Sequence, residues 1–117
     1  MYKRILMAMA MLFVTAQVFA AGAIALNKHT LRYGYSYNYA TQHQADHRAL
    51  RECGYGCVIL LRFHGCAALA FGAHRRAYGA GRAPTRHRAR HIALSYCHRY
   101  GGRHCRVHAA VCNRGHY

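Results

Sequence analysis

ATQHQADHRALREC, residues 40–53, and PTRHRARHIALSYC, residues 84–97, are one segment written twice. Thr41/Thr85, His43/His87, Ala45/Ala89, His47/His91, Ala49/Ala93, Leu50/Leu94 and Cys53/Cys97 coincide in a single register. Each copy opens on a threonine suited to cap a helix and ends on a cysteine. Ala45, Ala49 and Cys53, like Ala89, Ala93 and Cys97, recur at helical spacing and mark a buried face.

The similarity extends outward from the helices. In the same register GAIAL (22–26) stands above CAALA (66–70), and RYGY (32–35) echoes AYGA (77–80) with a one-residue slip. After the helix, Cys57 corresponds to Cys105 once HRYGGRHC is set against GYGC with a four-residue insertion. A fixed period of this kind marks a duplicated unit. Each unit reads as a short apolar strand (23–26; 67–71), a polar turn, a second strand (31–37; 77–81), the helix, and a closing strand (57–63; 106–111). The expected fold is α+β: a ββαβ unit duplicated over residues 22–65 and 66–113, with one antiparallel sheet carrying both helices on one face.

The six cysteines follow the repeat. Cys53–Cys57 and Cys97–Cys105 would be equivalent bridges, each tying a helix end to the next strand, leaving Cys66 to join Cys112. Six cysteines allow fifteen pairings, and symmetry favours this one. Paired CxxC spacings of a zinc ribbon are absent.

An export signal agrees with disulfides. Lys3 and Arg4 precede an apolar run over residues 5–15, and Val18-Phe19-Ala20 supplies a cleavage site. The expectation is a signal peptide over residues 1–20, a single secreted domain over 21–117, and a location in the periplasm or outside the cell. The alternative is retention of the segment as an anchor.

The chain holds 17 basic residues against 2 acidic ones. Removing Lys3 and Arg4 leaves fifteen against Asp46 and Glu52, a net charge of +13 with histidines neutral. Nearly all are arginine, the side chain that grips phosphate and carboxylate bidentately. Arg75, Arg76, Arg82, Arg86, Arg88 and Arg90 form the densest basic region, a candidate contact surface for an anionic envelope component or other polyanion. Acidification adds charge as imidazoles protonate.

At this point the sequence resembles domain of unknown function 4189, a family of small bacterial secreted proteins. The GAIAL opening, the RYGYSYNYAT run into an Ala-rich helix ending in cysteine, and the closing CRVHAAVCN carry the resemblance across essentially the whole mature chain. It departs at Ala21, where an aromatic is expected, and in its histidine-rich helices. The resemblance implies the fold and export; the family has no established activity, so no catalytic residue is transferred.

His43 with His47, and His87 with His91, stand four apart, so four imidazoles on neighbouring helices could bind zinc or copper. HExxH is absent. The alternating Tyr33, Tyr35, Tyr37 and Tyr39 are expected to pack beneath the helices with hydroxyls at the rim. Asp46 and Glu52, six apart on one helix, project from different faces and do not form a glycosidase pair. No GxSxG motif occurs. A cationic ribonuclease using two histidines, and an inhibitor or immunity role toward another secreted protein, complete the alternatives. The expected function is that of a binding module, without catalysis and without a resident cofactor.

Overall fold

The computed structural model describes residues 20–74 and 77–117. All but the last residue of the expected signal peptide, and Arg75 and Arg76 of the basic region, lie outside them. The elements are β1 (Ala21–Leu26), β2 (Tyr33–Tyr39), α1 (Gln42–Cys53), β3 (Val58–Phe63), β4 (Cys66–Phe71), β5 (Tyr78–Ala83), α2 (Arg86–Arg99) and β6 (Arg106–Cys112). This is ββαβ twice, in an α+β fold. Thr41 and Thr85 cap the helices as their position predicts, each hydroxyl accepting from a backbone amide three residues on (Gln44, 3.2 Å; Arg88, 3.3 Å).

The six strands form two antiparallel sheets, ordered β2-β1-β3 and β5-β4-β6, where the sequence suggested one. The reason is legible in the central strands. Along β1, Ala21, Ala23 and Ala25 pack against Ala45, Ala49 and Cys53 of α1. Ile24 and Leu26 point the other way and meet Ala67, Leu69 and Phe71 of β4 together with Phe63 and Ala109. On the far side of β4, Cys66, Ala68 and Ala70 pack against Ala89, Ala93 and Cys97 of α2. The layers therefore run α1, first sheet, second sheet, α2. A strand covered on both faces has no polar side, and β1 and β4 are buried throughout. Small residues face the helices, which approach closely; large residues fill the wider gap between sheets.

Placing β1 against β4 by their environments corrects the register of the repeat. AGAIAL aligns with CAALAF, an offset of 45 residues, not GAIAL with CAALA. Gly34 and Gly79 share that offset and do the same job: an added Cβ on Gly34 would lie 2.5 Å from Ala49 O and Cys53 N, and one on Gly79 would strike Ala93 O and Cys97 N. The helices align at an offset of 44, so unit one carries an extra residue. It sits in β2, where Ala21 and Ala23 of β1 pair with Tyr39 and Ser36 across a register shift. Asn38 takes a left-handed conformation there (φ 64°), the geometry of a β-bulge. The β4–β5 pairing has no such shift.

Disulfides join Cys53 to Cys57, Cys97 to Cys105 and Cys66 to Cys112, the last directly across the β4–β6 pair. The two units are tied by hydrogen bonds. Asn113, buried, donates from Nδ2 to the carbonyls of Phe63 and His64, both at 3.0 Å, while its Oδ1 accepts from the Asn38 amide at 2.6 Å.

Candidate functional site

Both acidic side chains of the sequence, Asp46 and Glu52, are engaged by arginines of unit one. Asp46 accepts from Arg62 at 2.9 Å and Glu52 from Arg48 at 2.7 Å. The hydrogen bond to Asp46, then its charge, holds the Arg62 guanidinium above its ordinary range. Unit two contains no acid. Its Arg90 occupies the helical position of Asp46, and Arg86 lies one turn earlier on the same flank. Arg86, Arg90, His87, His91, Leu94 and Tyr117 line one shallow depression. Arg88 projects about 200° around the helix from Arg86. Arg82 belongs to a different groove with Arg62, and its Nη1 donates to the Arg62 carbonyl at 2.9 Å.

The four-histidine metal centre does not form. His43 and His47 are exposed on α1, His87 and His91 on α2, and two sheets separate the helices. Among the described residues, no group of three or more His, Cys, Asp or Glu side chains could hold a metal ion. Side-by-side helices require one sheet; two stacked sheets place them on opposite outer faces.

The tyrosine row also faces away from its expected neighbour. Gly34 and Ser36 turn toward α1, and the Ser36 hydroxyl donates to Ala45 O at 2.6 Å. Tyr33, Tyr35 and Tyr37 therefore point to the second sheet. Tyr33 packs on the inter-sheet core, while Tyr35 and Tyr37 are exposed with rings stacked 6.4 Å apart. Tyr39, beyond the bulge, returns to the α1 side.

A concavity of about 650 Å³ opens where β2 of the first sheet lies across from β6 of the second. Tyr33 and Phe71 form its aromatic wall, with ring centroids 5.7 Å apart, and the His108 imidazole meets the Phe71 ring edge-on at 4.9 Å. The Tyr33 hydroxyl donates to the His108 carbonyl at 3.3 Å, joining the sheets. Arg32, Arg106 and His104 stand exposed at the rim, and Glu52, held by Arg48, is the acid that reaches it. Sequence reading passed over these residues because they come from four segments far apart in the chain. In the fold, Leu31 and His104 at this cleft are non-glycine residues in left-handed turns, at φ 62° and 53°.

The family described as Domain of unknown function (DUF4189) matches residues 21–112. Among curated proteins, none matches. The NMR structure of Rv1813c from Mycobacterium tuberculosis is similar to this chain, with a TM-score of 0.66 and 25% sequence identity, covering 97% of this chain and 91% of that one. The chain belongs to the DUF4189 family.

Proposed function

We propose that this DUF4189 protein is exported, to the periplasm or beyond the cell, and acts by binding an anionic envelope component or another polyanion rather than by catalysis. Three disulfides support export, since such bonds persist in oxidising compartments. No helix among the described residues is long and apolar enough to cross a membrane.

One observation carries the choice of partner. Where unit one sets Asp46 against Arg62, unit two sets Arg90, with Arg86 a turn away and no Asp or Glu in the unit; the Arg86 amide itself donates to the Tyr117 carbonyl at 2.8 Å. Arg86 and Arg88 occupy the first turn of α2, which holds no acid. The helix dipole is positive there and disfavours cations. A polyanion laid along this end of α2 compensates the arginines and the dipole together.

Titration of the mature protein with a fluorescent polyphosphate chain across a salt series tests the reading. The log–log slope is expected to steepen by roughly 0.7–0.9 per phosphate neutralised. Replacing Arg86 and Arg90 by alanine should lower it by about 1.5. Binding that does not change between low and physiological ionic strength refutes the proposal.

A further inference from the structure

We propose that the cleft between β2 and β6 binds a small organic phosphate carrying a flat ring, of nucleotide size. The site is separate from the arginines of α2. Cys66, at the start of β4, lies beside Pro84 just before that helix, and Phe71, at the end of β4, forms the cleft wall. Five strand residues of rise put roughly 17 Å between them.

The duplication supplies an internal control. The pseudo-twofold that exchanges the sheets also exchanges two grooves: β2 against β6 on one side, β5 against β3 on the other. In the second groove Ala77, Tyr78 and Leu60 stand where the first has Arg32, Tyr33 and His108. Val58 and Gly56 are the counterparts of Arg106 and His104, at the same offset from the paired cysteines Cys57 and Cys105. Tyr33 has an aromatic counterpart in Tyr78, whereas Phe71 answers to Leu26 in the register of the repeat. Both arginines and both imidazoles belong to one. The related groove keeps the same fold with Ala77, Val58, Leu60 and Gly56 at these four positions.

His104 adds a second, independent sign. Gly56, its counterpart, is left-handed at φ 77°, a conformation glycine adopts without penalty. His104 takes the same conformation at φ 53° with the Cβ that glycine lacks, one residue before the disulfide that fixes it. Leu31, beside Arg32, is left-handed too, so two of the three such non-glycine residues described line this cleft. Strained backbone at a concave surface marks side chains held for a ligand.

The chemistry selects the ligand class. Glu52, the acid at the rim, is paired with Arg48, so Arg32 and Arg106 hold no ion pair among the described residues; together they call for a multiply charged oxyanion, and phosphate matches their forked donors. A ring wall beside them adds affinity for a planar, apolar body through stacking. A volume of 650 Å³ suits a compound of nucleotide size. A bare anion leaves the rings unused, and an uncharged ring leaves the arginines unanswered.

The test titrates the full mature protein, at fixed ionic strength, with adenosine monophosphate and phenyl phosphate. Adenosine, phenol and inorganic phosphate are the fragment controls. Either organic phosphate should bind at least tenfold more tightly than both of its controls, with amide shifts at Tyr33, Phe71 and His108. Arg32→Ala and Arg106→Val install the residues of the related groove, so the fold should hold while affinity falls at least tenfold. His104→Gly should raise Tm and weaken binding together, a pairing that a structural role alone does not produce. The proposal is overturned if neither phosphate exceeds its fragments, or if the shifts map to Arg86 and Arg90.

Discussion

Adding a single methyl group at Gly79 tests how closely the helices lie on the sheets. The new Cβ would meet Ala93 O and Cys97 N, and Tyr96 Cβ at 2.9 Å. Two of these are backbone atoms, so no rotamer change relieves the overlap. Ordinary contact needs about 3.5 Å between carbon centres. The middle of α2 must therefore retreat by about an ångström, away from Cys66, Ala68 and Ala70, against which Ala89, Ala93 and Cys97 are fully packed. A gap of that size forfeits a quarter to a half of each dispersion contact, and overpacking of this kind costs about 1–3 kcal/mol. Alanine recovers roughly 0.4–1 kcal/mol by restricting the unfolded chain. The net expectation for Gly79→Ala is a loss of about 1–2 kcal/mol, seen as a Tm lower by roughly 4–16 °C in a domain of this size. Urea unfolding with the disulfides intact measures it, with the m-value checked for constancy. Gly34→Ala should behave alike, and the double variant should be additive because the two helices share no contact. A neutral or stabilised Gly79→Ala protein refutes the packing.

Two further outcomes are expected. Asn113→Asp should destabilise more than Asn113→Ala, because a carboxylate there faces the Phe63 and His64 carbonyls with no donor to offer; comparative thermal melts at neutral pH decide it. Removing disulfides pairwise should rank them by loop length. By the chain-entropy relation the Cys66–Cys112 bridge, spanning 46 residues, is worth about 4 kcal/mol and Cys53–Cys57, spanning 4, about 2 kcal/mol. Equal losses in denaturant melts would contradict that ordering.

Much of the fold was readable from the repeat: the ββαβ order, both threonine caps, and the alanine faces of the helices. The two-sheet arrangement was written in β1 and β4 as well. AGAIAL and CAALAF alternate small and large residues without a polar position, which means two different apolar neighbours rather than one buried and one wet face. Reading them as ordinary sheet strands merged two sheets into one and brought four histidines together that the fold holds apart. The slip between RYGY and AYGA was a true signal as well, the trace of a bulge at Asn38. The cleft was beyond sequence reading for a physical reason. Tyr33 and His108 meet only because two sheets stack, and their sequence separation of 75 residues leaves no local pattern. Once the twofold was known, the contrast of Arg32 with Ala77 and His108 with Leu60 was a plain sequence comparison.

Each of the three disulfides lies within one unit, and none crosses between them. Oxidation can therefore finish in either half without reference to the other. Cys53 and Cys57 lie in the half that is synthesised first, and their pairing does not wait for the second. Docking of the halves is a separate, non-covalent event, driven by Ile24, Leu26 and Phe63 meeting Leu69 and Phe71 and completed by Asn113 near the end of the chain. Until that residue arrives, the oxidised first half presents a bare apolar sheet face. A bridged first half without its twin would leave Ile24, Leu26 and Phe63 uncovered on one sheet face, so the duplication places the cost of incomplete assembly on that apolar face rather than on a thiol.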